Sequence, residues 1–243
     1  MEKNILNSFI NKYSLNGNIQ SVKWNLTDDE ISTSSVSEDK NVLSFVKIKK
    51  NDINASVELG IHDTTKLQKL INVLGTDVKI SLNNNGDRIT SVNLKSDNIK
   101  VQYVTSDLSV IPTVPDLKRL PTFNFELKLT PEFVNQFVKA KSALNDIDVF
   151  TILKTDGGVV KLVIGYSTIN SNRISIDINP VEGKDELSNN IHLSAKFFKE
   201  ILTSNSECEN AILKVSDAGL AHVEFDDKLF NSNYYLVAIK NID

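Results

Sequence analysis

IHDTTKLQKLI (Ile61–Ile71) and IHLSAKFFKEI (Ile191–Ile201) are two statements of one pattern, set 130 residues apart in a chain of 243. Each opens on Ile-His and supplies a residue able to cap a helix. Each then places Lys, an apolar residue and a second Lys three positions after the first, before closing on Ile. The spacing predicts an amphipathic helix in both places, with Leu67, Leu70, Ile71 and Leu74 on one buried stripe and Phe197, Phe198, Ile201 and Leu202 on the other. Asp63 and Ser194 are the predicted N-caps.

Two further stretches carry helical spacing. In Met1–Leu15 the residues Ile5, Leu6, Phe9, Ile10 and Tyr13 share a face. In Thr130–Leu144, Thr130 caps, Pro131 suits the first helical position, and Phe133, Val134, Phe137 and Leu144 pack inward. Helices of three or four turns need a sheet beneath them. The rest of the chain supplies it: NVLSFVKIKK, TDVKISL, FNFELKL, VVKLVIGY and AILKVSD alternate with the two-residue period of strands, and NNNGDR and TDGG mark turns between them. The first and third helices begin about 129 residues apart, nearly the 130 that separates the second and fourth. The plan is helix, strands, helix, strands, and then the same again. SDLSVIPTVPDLKRLP (Ser106–Pro121), with three prolines and no periodicity, separates the halves as a surface linker. The expected division is a first domain over 1–105, a linker over 106–121 and a second domain over 122–243.

The totals narrow the function. Hydrophobic content of 40% and charged content of 24% suit a globular protein with a real core. No apolar run reaches the ~20 residues of a membrane helix, and MEKNILNSFINKY lacks the core of a signal peptide, so no membrane partner is expected. The single cysteine, Cys208, excludes an internal disulfide and fits a reducing, cytoplasmic compartment. No P-loop, dinucleotide fingerprint, zinc spacing or nucleophile elbow is present, and His62, His192 and His222 do not cluster. His62 and His192 occupy equivalent repeat positions and read as structural. No catalytic residue, metal or cofactor is expected.

Charge is distributed unevenly. The net charge is −4, which argues against binding nucleic acid by affinity. Yet the four helices hold Lys3, Lys12, Lys66, Lys69, Lys139, Lys141, Lys196 and Lys199 against Glu2, Glu132 and Glu200. Solvated lysine on an exposed helix face is common. Its recurrence in all four related helices favours a role in weak, sequence-independent contact with phosphates, of use to a protein that holds DNA by enclosing it.

At this point the sequence resembles the ring-shaped DNA sliding clamps, a family that includes the eukaryotic proliferating-cell nuclear antigen and the clamps of T-even-type tailed phages. The resemblance covers nearly the whole chain. SNYYLVAIKNID looks like the antigen's C-terminus, IHLSAKFFKEILT resembles the family's last inner helix, and AGLAHVEF resembles the strand that follows it. The linker is shorter than the antigen's, and a terminal proline of the antigen is replaced around Val237–Ala238. The abundance of Asn, Ile and Lys suits an A·T-rich genome such as a phage's, which would put the protein in host-cell cytoplasm.

The resemblance implies an α+β fold, the DNA-clamp fold. Two similar domains, each with antiparallel sheets outside and two helices inside, would contribute to a six-domain ring of three chains. It implies the eight lysines as the DNA-facing set. It implies a pocket for a partner's hydrophobic peptide, with Leu220, Tyr235 and Val237 on one side and Val114, Leu117 and Leu120 of the linker on the other. It implies closure through the edge strands NIKVQYV (Asn98–Val104) and NRISIDI (Asn172–Ile178), with Ile99, Val101, Tyr103, Ile174, Ile176 and Ile178 at the subunit interface. The partners implied are double-stranded DNA, a DNA polymerase, an ATP-dependent clamp loader and the chain itself as a homotrimer, in a non-enzymatic processivity factor. A structural β-rich virion protein with duplicated domains is the alternative. An enzyme built from dispersed residues and a monomeric, affinity-based processivity factor are the remaining rivals.

Overall fold

The computed structural model describes the whole chain except residues 51, 54, 87, 156–157, 168–170 and 241–243. The turn residues Asp87, Asp156 and Gly157 and the last three residues of the C-terminal motif therefore lie outside the described residues. The chain divides into two compact units. The first holds Met1–Glu38, Leu43–Pro115 and Lys228–Ser232, and the second Asp39–Val42, Asp116–Asp227 and Asn233–Asp243.

The first unit begins with helix α1 (Lys3–Ser14), then strands β1 (Val22–Leu26), β2 (Ile31–Val36), β3 (Val42–Ile48) and β4 (Val57–Ile61). Helix α2 (Thr64–Asn72) and strands β5 (Lys79–Asn85), β6 (Arg88–Ser96) and β7 (Ile99–Val104) follow. In the second unit β8 (Phe125–Lys128) precedes α3 (Pro131–Ala143), β9 (Val149–Lys154), β10 (Val160–Ile164), β11 (Ile174–Ile178) and β12 (Ile191–Ser194). It ends with α4 (Ala195–Ser204), β13 (Ala211–Ser216), β14 (Leu220–Asp226) and β15 (Phe230–Val237), whose first three residues, Phe230–Ser232, belong to the first unit.

The repeat is topological as well as sequential. Hydrogen-bonded strands run β4-β1-β2-β3 in the first unit and β12-β9-β10-β11 in the second, the same order of fourth, first, second and third. Behind α2 comes the antiparallel meander β5-β6-β7, and behind α4 the meander β13-β14-β15, with β8 added on the outer side of β13. A single 3-10 turn, Leu108–Val110, opens the 106–121 stretch, and no strand or α-helix follows before Phe125.

Helices α1 and α3 lie within two residues of the predicted bounds, and α2 and α4 begin directly after the predicted caps. Three carry the predicted caps: the Asp63 carboxylate accepts from the Lys66 backbone N–H at 2.7 Å, Thr130 from Phe133 at 3.2 Å and Ser194 from Phe197 at 3.2 Å. Such a bond satisfies a donor the helix leaves orphaned, and losing it costs about 1 kcal/mol. Each unit has an aromatic cluster where its first helix meets the strand that follows it. Phe9 and Tyr13 of α1 meet Trp24 of β1 edge-on at 5.4 and 6.4 Å. Phe137 of α3 meets Phe150 of β9 at 5.3 Å and Phe198 of α4 at 4.8 Å, also edge-on. That geometry sets ring edges against ring faces, as the aromatic quadrupole prefers.

Candidate nucleic-acid and protein-docking surfaces

The helix lysines differ in exposure. Lys66, Lys69, Lys139 and Lys196 are exposed, and Lys199 is half-buried. Lys3 is half-buried and donates to the Leu74 carbonyl at 2.7 Å. Lys12 and Lys141 are not on an open face at all, at 1% and 5% exposure. This corrects the expectation that all eight present their charge to a ligand. The Lys141 ammonium turns back to the carbonyls of Leu144 (3.4 Å) and Asn145 (2.8 Å) and pairs with Asp148 at 3.3 Å. It closes the C-terminus of α3, where the helix dipole and unpaired carbonyls favour a cation. Lys12 sits in the equivalent last turn of α1, its ammonium 4.9 Å from the ring centroid of Phe230. Buried cations survive only with such partners.

A second surface lies on the outer face of the second unit. The hydrogen bond from the Ala238 N–H to the Gly219 carbonyl, 2.8 Å, sets Leu220 of β14 opposite Val237 of β15, and His222 opposite Tyr235. The rings of His222 and Tyr235 stack at 4.4 Å with 5° between planes, and the Phe123 ring lies 6.0 Å from His222. The patch is rimmed by the Lys214–Glu224 ion pair, 3.0 Å, and by Asn233, whose side-chain oxygen is 2.8 Å from His222 Nε2. Burial pushes the imidazole below its ordinary pKa, opposed by the bond to Asn233. An amide oxygen only accepts, so Nε2 is the donor in the bond to Asn233. Burial also raises the Tyr235 hydroxyl above its usual value.

Of the expected pocket residues, Leu220, Tyr235 and Val237 share this face. Leu220 and Tyr235 are half-buried, and Val237 is 43% exposed. Val114 and Leu117 are half-buried and Leu120 is exposed, in irregular chain. His222 and Phe123 were not among the expected pocket residues. The signal for His222 was present in AGLAHVEF, where strand alternation puts it on the face of Leu220. The stack itself required the strand register.

The two strands expected at a subunit boundary are both edge strands. β7 pairs only with β6, and β11 only with β10, among the described residues. Their apolar residues are not all available. Val101, Tyr103 and Ile178 are buried in their own unit, whereas Ile99 is 42% exposed and Ile174 and Ile176 are half-buried. The Tyr103 hydroxyl accepts from the backbone N–H groups of His62 (3.2 Å) and Asp63 (3.1 Å), which fastens β7 to the start of α2. Val101, Tyr103 and Ile178 thus pack within their own unit, while both edge strands leave one side without a strand partner among the described residues.

No group of three or more His, Cys, Asp and Glu suited to a metal occurs among the described residues. No helix among them is long and apolar enough to cross a membrane.

Duplicated antiparallel units with paired helices define an α+β protein with the DNA-clamp fold. The chain is similar to the crystal structure of proliferating cellular nuclear antigen from Entamoeba histolytica, with a TM-score of 0.72 over 98% of this chain and 96% of that one. Sequence identity is 17%, so the likeness lies in the fold. No family model and no curated protein matches the sequence itself.

Proposed function

We propose that three copies of the chain close a six-domain ring around duplex DNA and tether a replicative polymerase to its template. The protein is a processivity factor and not an enzyme. Its hold on DNA is topological, and the exposed lysines of α2, α3 and α4 ease sliding over phosphates without reading sequence. A separate clamp loader opens the ring and spends the ATP. The polymerase docks a hydrophobic peptide on the face of Leu220, Tyr235 and Val237. A phage source, with the host cytoplasm as the site of action, fits the composition.

The observation that carries this reading is the duplicated clamp fold whose helices bear exposed lysines on a chain of net charge −4. A protein of that sign is a poor affinity binder of DNA and a suitable encloser. The test is retention on circular against linear duplex at high salt, after incubation with the cognate loader and ATP. Salt screens phosphate contacts but does not open a ring. Retention on circles with loss from linear ends is the expected result. Equal behaviour of the two, with an active loader, contradicts enclosure. A structural virion protein would instead assemble beyond three chains in gel filtration.

A further inference from the structure

The outer face of β5-β6-β7 holds an electrostatic oddity. Lys79 of β5 lies directly opposite Lys95 of β6, and Lys95 directly opposite Lys100 of β7. Three like charges in one cross-strand row destabilise a sheet. No described residue forms an ion pair or side-chain hydrogen bond with any of the three, and Asp97, at the adjoining turn, bonds Ser96. The next row is neutral: Ser81, Asn93 and Gln102. Lys100 stands at the free edge, so the row is open to whatever pairs with β7.

The other free edge carries the complement. β11 alternates Ile174, Ile176 and Ile178 on the side of α3 with Ser175 and Asp177 on the outer side. Beside it runs a groove of about 620 Å³, floored in part by Ala140 and Ala143. Asp177 is exposed, and among the described residues its one ion pair is with Lys161 on its own sheet, at 3.3 Å. The two edges thus have the same handed alternation, apolar towards the helices and polar outward, and opposite charge at one outward position each.

Resting on the ring reading above, we infer that β7 of one copy pairs antiparallel with β11 of a second copy in a single register, which sets Lys100 opposite Asp177 of that copy. In this register Ile99 faces Ile178, Val101 faces Ile176, Gln102 faces Ser175 and Tyr103 faces Ile174, so both strands are used along their whole length. A slip of one residue sets the apolar side chains of one strand opposite the polar side chains of the other, so the apolar faces of the two sheets no longer meet. A slip of two keeps the faces but sets Lys100 opposite Ser175 or Asn179 and loses the charge pair. Apolar alternation selects the face, and charge selects among the registers that remain. The acid of the second copy also relieves the lysine row, so the isolated chain is the less favourable state.

The test is disulfide formation between separately prepared variants. Gln102→Cys is mixed with Ser175→Cys, Arg173→Cys or Asp177→Cys, and cross-linked dimer is followed under mild oxidation. Each variant alone, retaining the buried Cys208, serves as control. Directly opposite positions bring Cβ atoms to about 4.5–5.5 Å, near disulfide range, while diagonal positions stay about 7–8 Å apart. Fastest cross-linking with Ser175→Cys, by about tenfold or more, is the expected result. Fastest cross-linking at 173 or 177 overturns the register and leaves the ring intact. A trimer with no cross-link at any position overturns edge pairing, and a monomeric protein overturns the ring reading itself. A charge swap supplies the second arm. Lys100→Asp should raise the concentration at which the trimer dissociates by about threefold to fivefold, as expected for an exposed pair, and adding Asp177→Lys should restore it. No effect of the first change, or no restoration by the second, overturns the Lys100–Asp177 pair.

Discussion

The imidazole of His222 lies flat on the ring of Tyr235, with centroids 4.4 Å apart and 5° between the planes. The stack keeps the imidazole out of water, so the folded chain holds it neutral, with its pKa below the ordinary value. The unfolded chain takes up that proton below about pH 6.5. Folding stability from this group is therefore complete above that pH and is lost as pH falls through the lower folded value. His192, also pushed down by burial, acts in the same direction. Thermal unfolding measured between pH 7.5 and 5 should show falling stability. His222→Gln should flatten the slope, and adding His192→Gln should flatten it further. An unchanged slope in the double variant would contradict the assignment.

Tyr235 and Leu220 are the side chains on which peptide docking is expected to depend most. Tyr235→Ala removes an aromatic anchor and uncovers His222, and an anchor of this kind is worth about 1–3 kcal/mol. Calorimetric titration with a peptide from the cognate polymerase should show affinity falling roughly tenfold or more. Lys240→Ala, an exposed change near the same strand end, should leave it unaltered.

Lysines of like sequence context differ in what they hold. Lys141→Met strands the carbonyls of Leu144 and Asn145 and leaves Asp148 without its cation. A loss of about 1–3 kcal/mol is expected in denaturant unfolding. Lys66→Ala, on the exposed face of α2, should change stability by no more than about 0.5 kcal/mol.

The exposed lysines should appear in salt dependence. Residual binding of the unloaded protein to linear duplex should weaken with log salt, and Lys66→Ala with Lys69→Ala should lower the slope by up to about one for each lysine in phosphate contact. Lys12→Met should leave the slope unchanged, because that ammonium is turned into the protein.

Phe137 joins α3 to both β9 and α4 through edge-on contacts with Phe150 and Phe198. Phe137→Ala should cost about 3–5 kcal/mol, read from the urea midpoint, because it opens a cavity at the centre of the cluster.

Much of this architecture is written in local patterns. The repeated phrase at Ile61 and Ile191, its caps at Asp63 and Ser194, and the alternation of NIKVQYV and NRISIDI state element type and order. They do so because capping and amphipathic periodicity act over a few residues. Even the edge strands were legible. What the sequence could not say is which lysine is turned inward. Lys12 and Lys141 look like any other helix lysine in a string of letters. Their burial depends on Phe230, remote in sequence, and on a chain reversal that brings Asp148 back to α3. The aromatic stack on the outer face is likewise a product of register, since only the pairing of β14 with β15 sets His222 against Tyr235. The row of Lys79, Lys95 and Lys100 is another, for it joins three strands whose neighbours are fixed by pairing alone. Sequence by itself determined the elements and their duplication, through forces that fade within a turn or two. Tertiary structure decided which charges are free, which are locked and which face one another, because those outcomes depend on distances between segments that the chain brings together only on folding.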